Sequence, residues 1–499
     1  MEKIVFPFFI ILYSIYMIFL LTKLGLSYDE PYSMYTSANK LTEVIRLAYQ
    51  FEFQPPGYFL ILALWRKIND GIFFARLLSL VFTFLSAFFL FKASRIIFNR
   101  IFSKWIIVLF LLNPFTIYCS SEIRLYSMLV LLTVLAFYLF YLIYFQNRSQ
   151  LRLLFVLVST IGVYTQYFFV FLIISFGVIL FLRKEWHSFF NYILLSLLIA
   201  LLFIPNLFFL KEQMNVTPNT LVEYHFSDRV KSVILFSADF FVLNPGFEVS
   251  RAVRWALRIV FISFYLISYY KFFLLHKSGK SQDFIHFCYL NLITLTLILI
   301  FIFSFSFTNI PLAIRYVTIL FPFHILLLVE IGIYTNIIRN LMYGIYAAFL
   351  ILNIVLTVKP PFIKSYDFKS VAGYCSEIQI DNEPILFLNN DLTLGMKHIY
   401  EKSETFISLP EFKYDYSLYT NYVNDTMELN QLINNIKSDS KTFLIITGTD
   451  LGYLRNKDLT NEMIDKYLNK NYIVRTDTTF EGYYKEDYVR IRSIIKINQ

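Results

Sequence analysis

Three carboxylates and two guanidiniums stand out in this 499-residue chain. Asp29 and Glu30 adjoin each other just past an apolar run from Ile4 to Leu24. Glu122 and Arg124 flank one residue in Tyr118-Cys119-Ser120-Ser121-Glu122-Ile123-Arg124-Leu125-Tyr126. Arg315 precedes Tyr316 at the head of a later apolar run. A carboxylate can take the proton of an acceptor hydroxyl. Arginine forks match the oxygens of a leaving phosphate. A divalent metal bridged by carboxylates could share the second task. Displacement of a lipid-linked phosphate from a sugar needs those groups in one place.

The elements that must position them are set by composition. The chain is 57% hydrophobic and only 16% charged, whereas soluble domains are about a quarter charged. The 57 Phe and 37 Tyr suit lipid-facing surface and interfacial belts. Nearly all apolar runs lie in residues 1–358, and residues 359–499 read as a water-soluble domain. The boundary falls at the helix stop Lys359-Pro360-Pro361.

Hydropathy gives about eleven spans, beginning near Ile4, Gly71, Trp105, Ser127, Leu153, Gln166, Phe189, Trp255, Phe284, Pro311 and Leu341. One alternate set of loops is basic: Lys92, Arg95, Arg100 and Lys104; Arg148 and Arg152; Arg183 and Lys184; Lys271, Lys277 and Lys280; Arg339. Positive loops stay in the cytoplasm. Residues 25–70, 119–126, 211–253 and 306–311 then face outward, as does the C-terminal domain. The net charge of +9 is therefore topological and does not point to nucleic acid. The first span carries no small-residue cleavage site and reads as an uncleaved anchor. Cys119, Cys288 and Cys375 show no bridging pattern.

The first outward loop is long. It holds Asp29 and Glu30, an amphipathic stretch from Ser33 to Tyr49, then Gln54-Pro55-Pro56-Gly57-Tyr58, then an apolar segment, Phe59 to Ile68, too short to span. A further interfacial helix is expected from Phe226 to Leu243. In the soluble domain Ile385–Leu388, Thr405–Leu409, Phe443–Thr447, Tyr472–Arg475 and Tyr488–Ile494 read as strands. Phe368–Ile378, Met427–Ile436 and Asn461–Leu468 read as helices, which suggests an α/β sandwich.

Three segments carry a resemblance to a known family. They are Tyr28-Asp29-Glu30; Gln54-Pro55-Pro56-Gly57-Tyr58-Phe59 followed by Ala75-Arg76-Leu77-Leu78-Ser79; and Asn113-Pro114 through Glu122-Ile123-Arg124-Leu125-Tyr126. In this order they resemble the GT-C superfamily of membrane glycosyltransferases. The glycosyltransferase family 39-like group, with protein O-mannosyltransferases and the aminoarabinose transferases of lipid A, looks nearest. Tyr366-Asp367-Phe368-Lys369-Ser370-Val371-Ala372 is similar to the start of the soluble domain in many members. One departure is Gln54, where many members have His.

The resemblance implies a polytopic all-α membrane domain with an extracytoplasmic C-terminal α/β domain. It implies inverting transfer of a sugar from a polyprenyl-phosphate donor to a glycan, lipid A or protein, at the outer face of a bacterial cell membrane. Asp29 would be the base or acceptor-positioning acid. Glu30 and Glu122 would position acceptor or metal, and Arg124 and Arg315 would hold the donor phosphate.

Plainer readings stand beside these. Glu122 and Arg124 suit a surface ion pair, and Arg315 suits a snorkelling cation. Tyr58, Tyr126 and Tyr316 suit belt aromatics as well as substrate contacts. Arg76 suits a tether for the first loop as well as a substrate contact. His225 reads as solvated and His324 as packed. At the level of the whole chain, a flippase for lipid-linked sugars and a non-catalytic membrane scaffold compete with the enzyme. A flippase needs charges near the bilayer midplane and broken helices in both halves, and here the charges gather at one face.

Overall fold

The computed structural model describes residues 2–97, 103–216, 225–241, 282–306, 313–334, 362–380, 382–388, 392–415, 423, 425–436, 441–448, 461–482 and 488–497, with scattered positions in 252–270 and 340–351. The chain divides into two compact units. The first comprises Met1–Thr22, Gln54–Asn215 and Tyr224–Val358, and the second Lys23–Phe53, Val216–Glu223 and Lys359–Gln499.

The first unit is helical. Its elements include α1 (Glu2–Lys23), which runs to the unit's edge, and α4 (Gly57–Arg66), α5 (Ile72–Ile97), α6 (Ser103–Leu111), α7 (Pro114–Ser121) and α8 (Tyr126–Phe145). They continue with α9 (Arg152–Val163), α10 (Phe169–Leu182), α11 (Trp186–Val216) and α12 (Phe226–Asp239). Beyond these come Gln282–Ser306, a 3-10 helix Ile314–Leu320 and Phe321–Tyr334. Helices thus lie near the expected starts from Ile4 through Phe189, and near Phe284 and Pro311. The expected spans near Trp255 and Leu341 fall largely outside the described residues. Among the described residues, three helices are long and apolar enough to cross a membrane: Ile72–Ile97, Tyr126–Phe145 and Trp186–Gln213.

Their burial separates their roles. The apolar window of α8 is 83% buried, that of α11 only 11%. Helix α8 is hydrophobic all round because protein surrounds it. Helix α11 shows its apolar side chains to the outside, which suits lipid contact.

Local breaks in these helices set where the polar residues stand. Asn113-Pro114 ends α6 and starts α7: the Asn113 side chain accepts a bond of 2.8 Å from the Phe115 amide, and Pro114 takes a position where a missing N–H costs nothing. At Gly57 the chain runs against the α9–α10 turn, its amide bonding the Tyr164 carbonyl at 2.8 Å. A Cβ there would stand 2.6 Å from that oxygen, so only glycine permits the approach.

The second unit is built on a five-stranded sheet. Its strands are β1 (Ile385–Phe387), β2 (Phe406–Ser408), β3 (Thr442–Gly448), β4 (Tyr472–Glu481) and β5 (Tyr488–Lys496). The order is β2-β1-β3-β5-β4, with β1 parallel to β2 and β3, and β5 antiparallel to β3 and β4. All five expected strands are present, and β4 runs on past its expected end at Arg475 to Glu481. Its polar Thr-Asp-Thr-Thr run tolerates an edge, where alternate residues face water. The core gathers Leu386, Ile445 and Ile494 from the sheet with Leu429, Ile464 and Leu468 from the helices Thr426–Asn434 and Asn461–Asn471.

The loop Lys23–Phe53 belongs to this unit. Its stretch from Ser33 to Tyr49 forms two helices, α2 (Glu30–Ser37) and α3 (Leu41–Gln50), because Asn39 folds its amide back onto the Tyr35 carbonyl at 2.8 Å. Leu47 and Phe51 then pack on Leu394 and Phe412, and the Tyr35 ring stacks on Tyr414 at 3.8 Å. The buried face of α3 therefore meets protein, while Leu41 and Ile45 stay exposed.

On β4 and β5 a charged network closes the sheet. Arg490 bonds Asp477 at 2.7 Å and Asp465 at 2.9 Å. Arg492 bonds Asp465 at 2.5 Å and Thr447 at 3.1 Å. The Arg490 bond holds the Asp477 carboxyl below its usual range. A carboxylate with a depressed folded value stabilises above its unfolded value and loses that contribution as pH falls through the folded one. Comparison of acid melts of the wild type and Asp477→Asn should show a wild-type advantage at pH 7 that fades only below about pH 4. An advantage independent of pH would mean the ion pair is not its source.

Candidate active site

In the first unit the site residues stand on α5 and on the turn between α7 and α8. Because Asn113-Pro114 restarts the helix, α7 is two turns long and delivers Glu122 in extended conformation at its end. The turn is pinned by Ser79 of α5, whose hydroxyl donates to the Glu122 carbonyl at 2.6 Å. The rings of Tyr118 and Tyr126 stack across it at 5.9 Å. Glu122 is 3% exposed and Arg124 5%. That is not the setting of a surface ion pair, which stays in water. Burial pushes the Cys119 thiol well up, and the charge of Glu122 pushes it further.

Arg76 lies on the same face of α5, one turn before Ser79. It is buried, and its Nη1 donates to the Leu21 carbonyl at 3.2 Å. That carbonyl belongs to the last turn of α1, where helical carbonyls lack their own partners and cations are favoured. Arg76 therefore ties α1 to α5.

Arg315 sits in the 3-10 helix Ile314–Leu320, half-buried, with its guanidinium 5.7 Å from the Tyr316 ring centre. Tyr316 meets Phe168 edge-on at 6.1 Å. Tyr58 is fully buried and Tyr126 nearly so, inside the protein and not at a belt. His324 is packed as expected, with its Nδ1 2.9 Å from the Leu320 carbonyl oxygen. His225 is exposed at the start of α12.

Sequence reasoning missed Arg229 as a site candidate. It lies within the expected interfacial helix, found here as α12, yet is only 2% exposed. A charge in an amphipathic helix reads as solvated, so its burial carries no signal in sequence.

In the second unit Asp29 and Glu30 part company. Asp29 is half-buried at the N-cap position of α2, and its side chain makes no capping bond to that helix. Glu30 is wholly buried; its Oε2 accepts from the Ser27 amide at 2.8 Å and from Lys364 Nζ at 3.3 Å. Lys364 is the second residue that sequence reasoning missed. It lies 334 positions from its partner, and no local pattern could join them.

Among the described residues, no three His, Cys, Asp or Glu side chains gather into a metal-ligating group. Glu30, read from sequence as a metal ligand, already serves Lys364 and Ser27.

Comparison with known proteins bears on this geometry. Residues 53–209 match the dolichyl-phosphate-mannose-protein mannosyltransferase family. The chain also superposes on ArnT from Cupriavidus metallidurans in the apo state, with a TM-score of 0.59 at 11% identity, over 97% of this chain and 98% of that one. It superposes equally on ArnT bound to undecaprenyl phosphate, with a TM-score of 0.59 at 11% identity, over 97% of each chain. The chain has the fold of these two ArnT structures. No match is found among curated protein sequences. The resemblance read from the membrane half is borne out, and the family match carries it over residues 53–209. The family match takes in Gln54–Tyr58, Arg76 and Glu122–Tyr126, and leaves Asp29, Glu30 and Arg315 outside it.

Arg76→Met should lower stability by roughly 1.5–3 kcal/mol, the worth of a hydrogen bond to a charged group. The check is the unfolding midpoint of detergent-purified protein. A midpoint equal to wild type would show that Arg76 does not tether α1.

Proposed function

We propose that this chain transfers a sugar from a polyprenyl-phosphate donor to an extracytoplasmic acceptor, with inversion at the anomeric carbon. The observation that carries the reading is the buried Glu122-x-Arg124 turn, pinned to α5 by Ser79, in a GT-C fold. The similar ArnT structure holds undecaprenyl phosphate, which supports a polyprenyl-phosphate donor here.

The chemistry follows from the groups. The acceptor oxygen attacks the anomeric carbon from the face opposite the phosphate. Its proton passes to the Asp29 carboxylate, and the bond from carbon to phosphate oxygen breaks. The bonding pair leaves on the phosphate, and polyprenyl phosphate departs. Arg124 and Arg315 take up the charge that grows on the phosphate oxygens, the buried Arg124 most strongly because water screens it least. Glu122 orients Arg124 or the acceptor, and Tyr126 and Tyr316 line the approach. Glycan, lipid and protein hydroxyls or amines all meet the acceptor requirement. On this reading the membrane half, residues 1–358, holds the donor, and residues 359–499 lie outside a bacterial cell membrane.

Loss of a positioned base costs about 10²–10⁴-fold in rate. Mass spectrometry of surface glycans, lipids and proteins from cells with wild type, without the protein, and with Asp29→Asn should show one sugar adduct only in the first. An adduct present at wild-type level with Asp29→Asn would remove the base from the mechanism. Arg124→Ala should weaken binding of undecaprenyl phosphate to the purified protein by roughly 10- to 100-fold. Unchanged affinity would move the phosphate away from Arg124.

A further inference from the structure

The segment just after the membrane half, Phe362–Tyr366, runs along the acidic loop. The Gly25 amide donates to the Phe362 carbonyl at 2.9 Å. The Ser365 hydroxyl donates to the Leu26 carbonyl at 3.2 Å. The Tyr366 ring lies 6.3 Å from that of Tyr28. Between these contacts Lys364 reaches Glu30, and the two side chains are 3% and 0% exposed.

Glu30 also closes a small ring. Its carboxylate returns to the Ser27 amide, so Tyr28 and Asp29 are enclosed between a backbone donor and the side chain of the next residue. Pro31 then fixes the first turn of α2. The backbone that carries Asp29 is thus held by the Glu30 carboxylate, and that carboxylate is held by Lys364.

A buried ion pair is a weak source of stability, since desolvation cancels much of the attraction, whereas removal of one partner strands a charge. What such a pair supplies well is a single geometry. We propose that Lys364 is a positioning residue for Asp29, acting through Glu30, so that the strap Phe362–Tyr366 is part of the catalytic apparatus and not only a link to the sheet. This rests on the reading of Asp29 as the base. It assigns Glu30 to positioning, and takes it away from acceptor or metal.

The test measures sugar transfer per folded protein, in membranes that supply the endogenous donor, together with undecaprenyl phosphate binding to purified protein. The variants are Lys364→Met, Lys364→Arg, and the double Glu30→Gln with Lys364→Met. The double removes both charges and keeps the volumes, so it should fold even if Lys364→Met does not. Lys364→Met, where it folds, and the double should both lose about 10- to 100-fold in rate at saturation, the scale set by misplacing a reacting group. Their affinity for undecaprenyl phosphate should stay at the wild-type value. Lys364→Arg should recover most of the rate. A folded double variant that turns over at the wild-type rate would overturn the proposal, as would losses in every variant that match the loss of folded protein. Asp29→Asn separates the two ideas. If it is inactive while the double is fully active, only the positioning role fails; if it is itself active, the base fails too.

Discussion

A charge withdrawn from water has to be matched where it sits, and Glu30, Arg76, Glu122 and Arg124 are all so withdrawn. Desolvation costs several kcal/mol for each ion even after relaxation. Each such group therefore dictates the backbone around it. Arg76 calls up the last carbonyls of α1, and Glu30 calls up the Ser27 amide and a lysine from 334 positions away. Glu122 sits on a turn whose own carbonyl is engaged by Ser79. For Arg76 and Glu30, the interactions that hold the residue are the same ones that make its burial tolerable.

Those interactions depend on helices that stop in the right places. Apolar sequence of this kind propagates helix readily, and only proline, glycine or a side-chain cap halts it. Asn113-Pro114 divides one expected span into α6 and α7, and so sets Glu122 at the end of a short helix instead of deep in a long one. Gly57, after Pro55-Pro56, lets α4 begin against the α9–α10 turn. Asn39 ends α2 so that α3 can turn its apolar face to Leu394 and Phe412. The breaks cost helical hydrogen bonds locally, and burial of the adjoining side chains offsets that cost.

Periodicity and punctuation made much of this legible. The apolar runs announced the helices of the first unit, and short runs rich in Ile, Val, Thr, Phe and Tyr announced the five strands. Glu122 and Arg124 were legible as a pair because a two-residue spacing in a short outward turn is a local fact. Their burial was not, since it comes from helices distant in sequence. The same limit explains Arg229, which an amphipathic pattern assigns to water and the fold places at 2% exposure. It also explains Tyr58 and Tyr126, whose position near span ends reads as belt while their surroundings are protein. Glu30 is the sharpest case. Next to Asp29 it reads as a second functional acid, and nothing in residues 25–35 tells that its partner is Lys364.

That separation has a consequence for how the second unit forms. A contact closing 334 residues carries a loop entropy that grows only with the logarithm of length, but a single ion pair at 3.3 Å cannot offset it alone. The contact becomes favourable because neighbours share it: Gly25 with Phe362, Leu26 with Ser365, Tyr35 with Tyr414, Leu47 and Phe51 with Leu394 and Phe412. Several of these lie well past Lys364, among residues that belong with the sheet. The acidic loop therefore cannot take its folded form before the C-terminal region does. Two adjacent carboxylates then divide the work, one buried to hold the loop and one left at a helix N-terminus, where a negative charge is favoured. That division exists only once both ends of the chain have met.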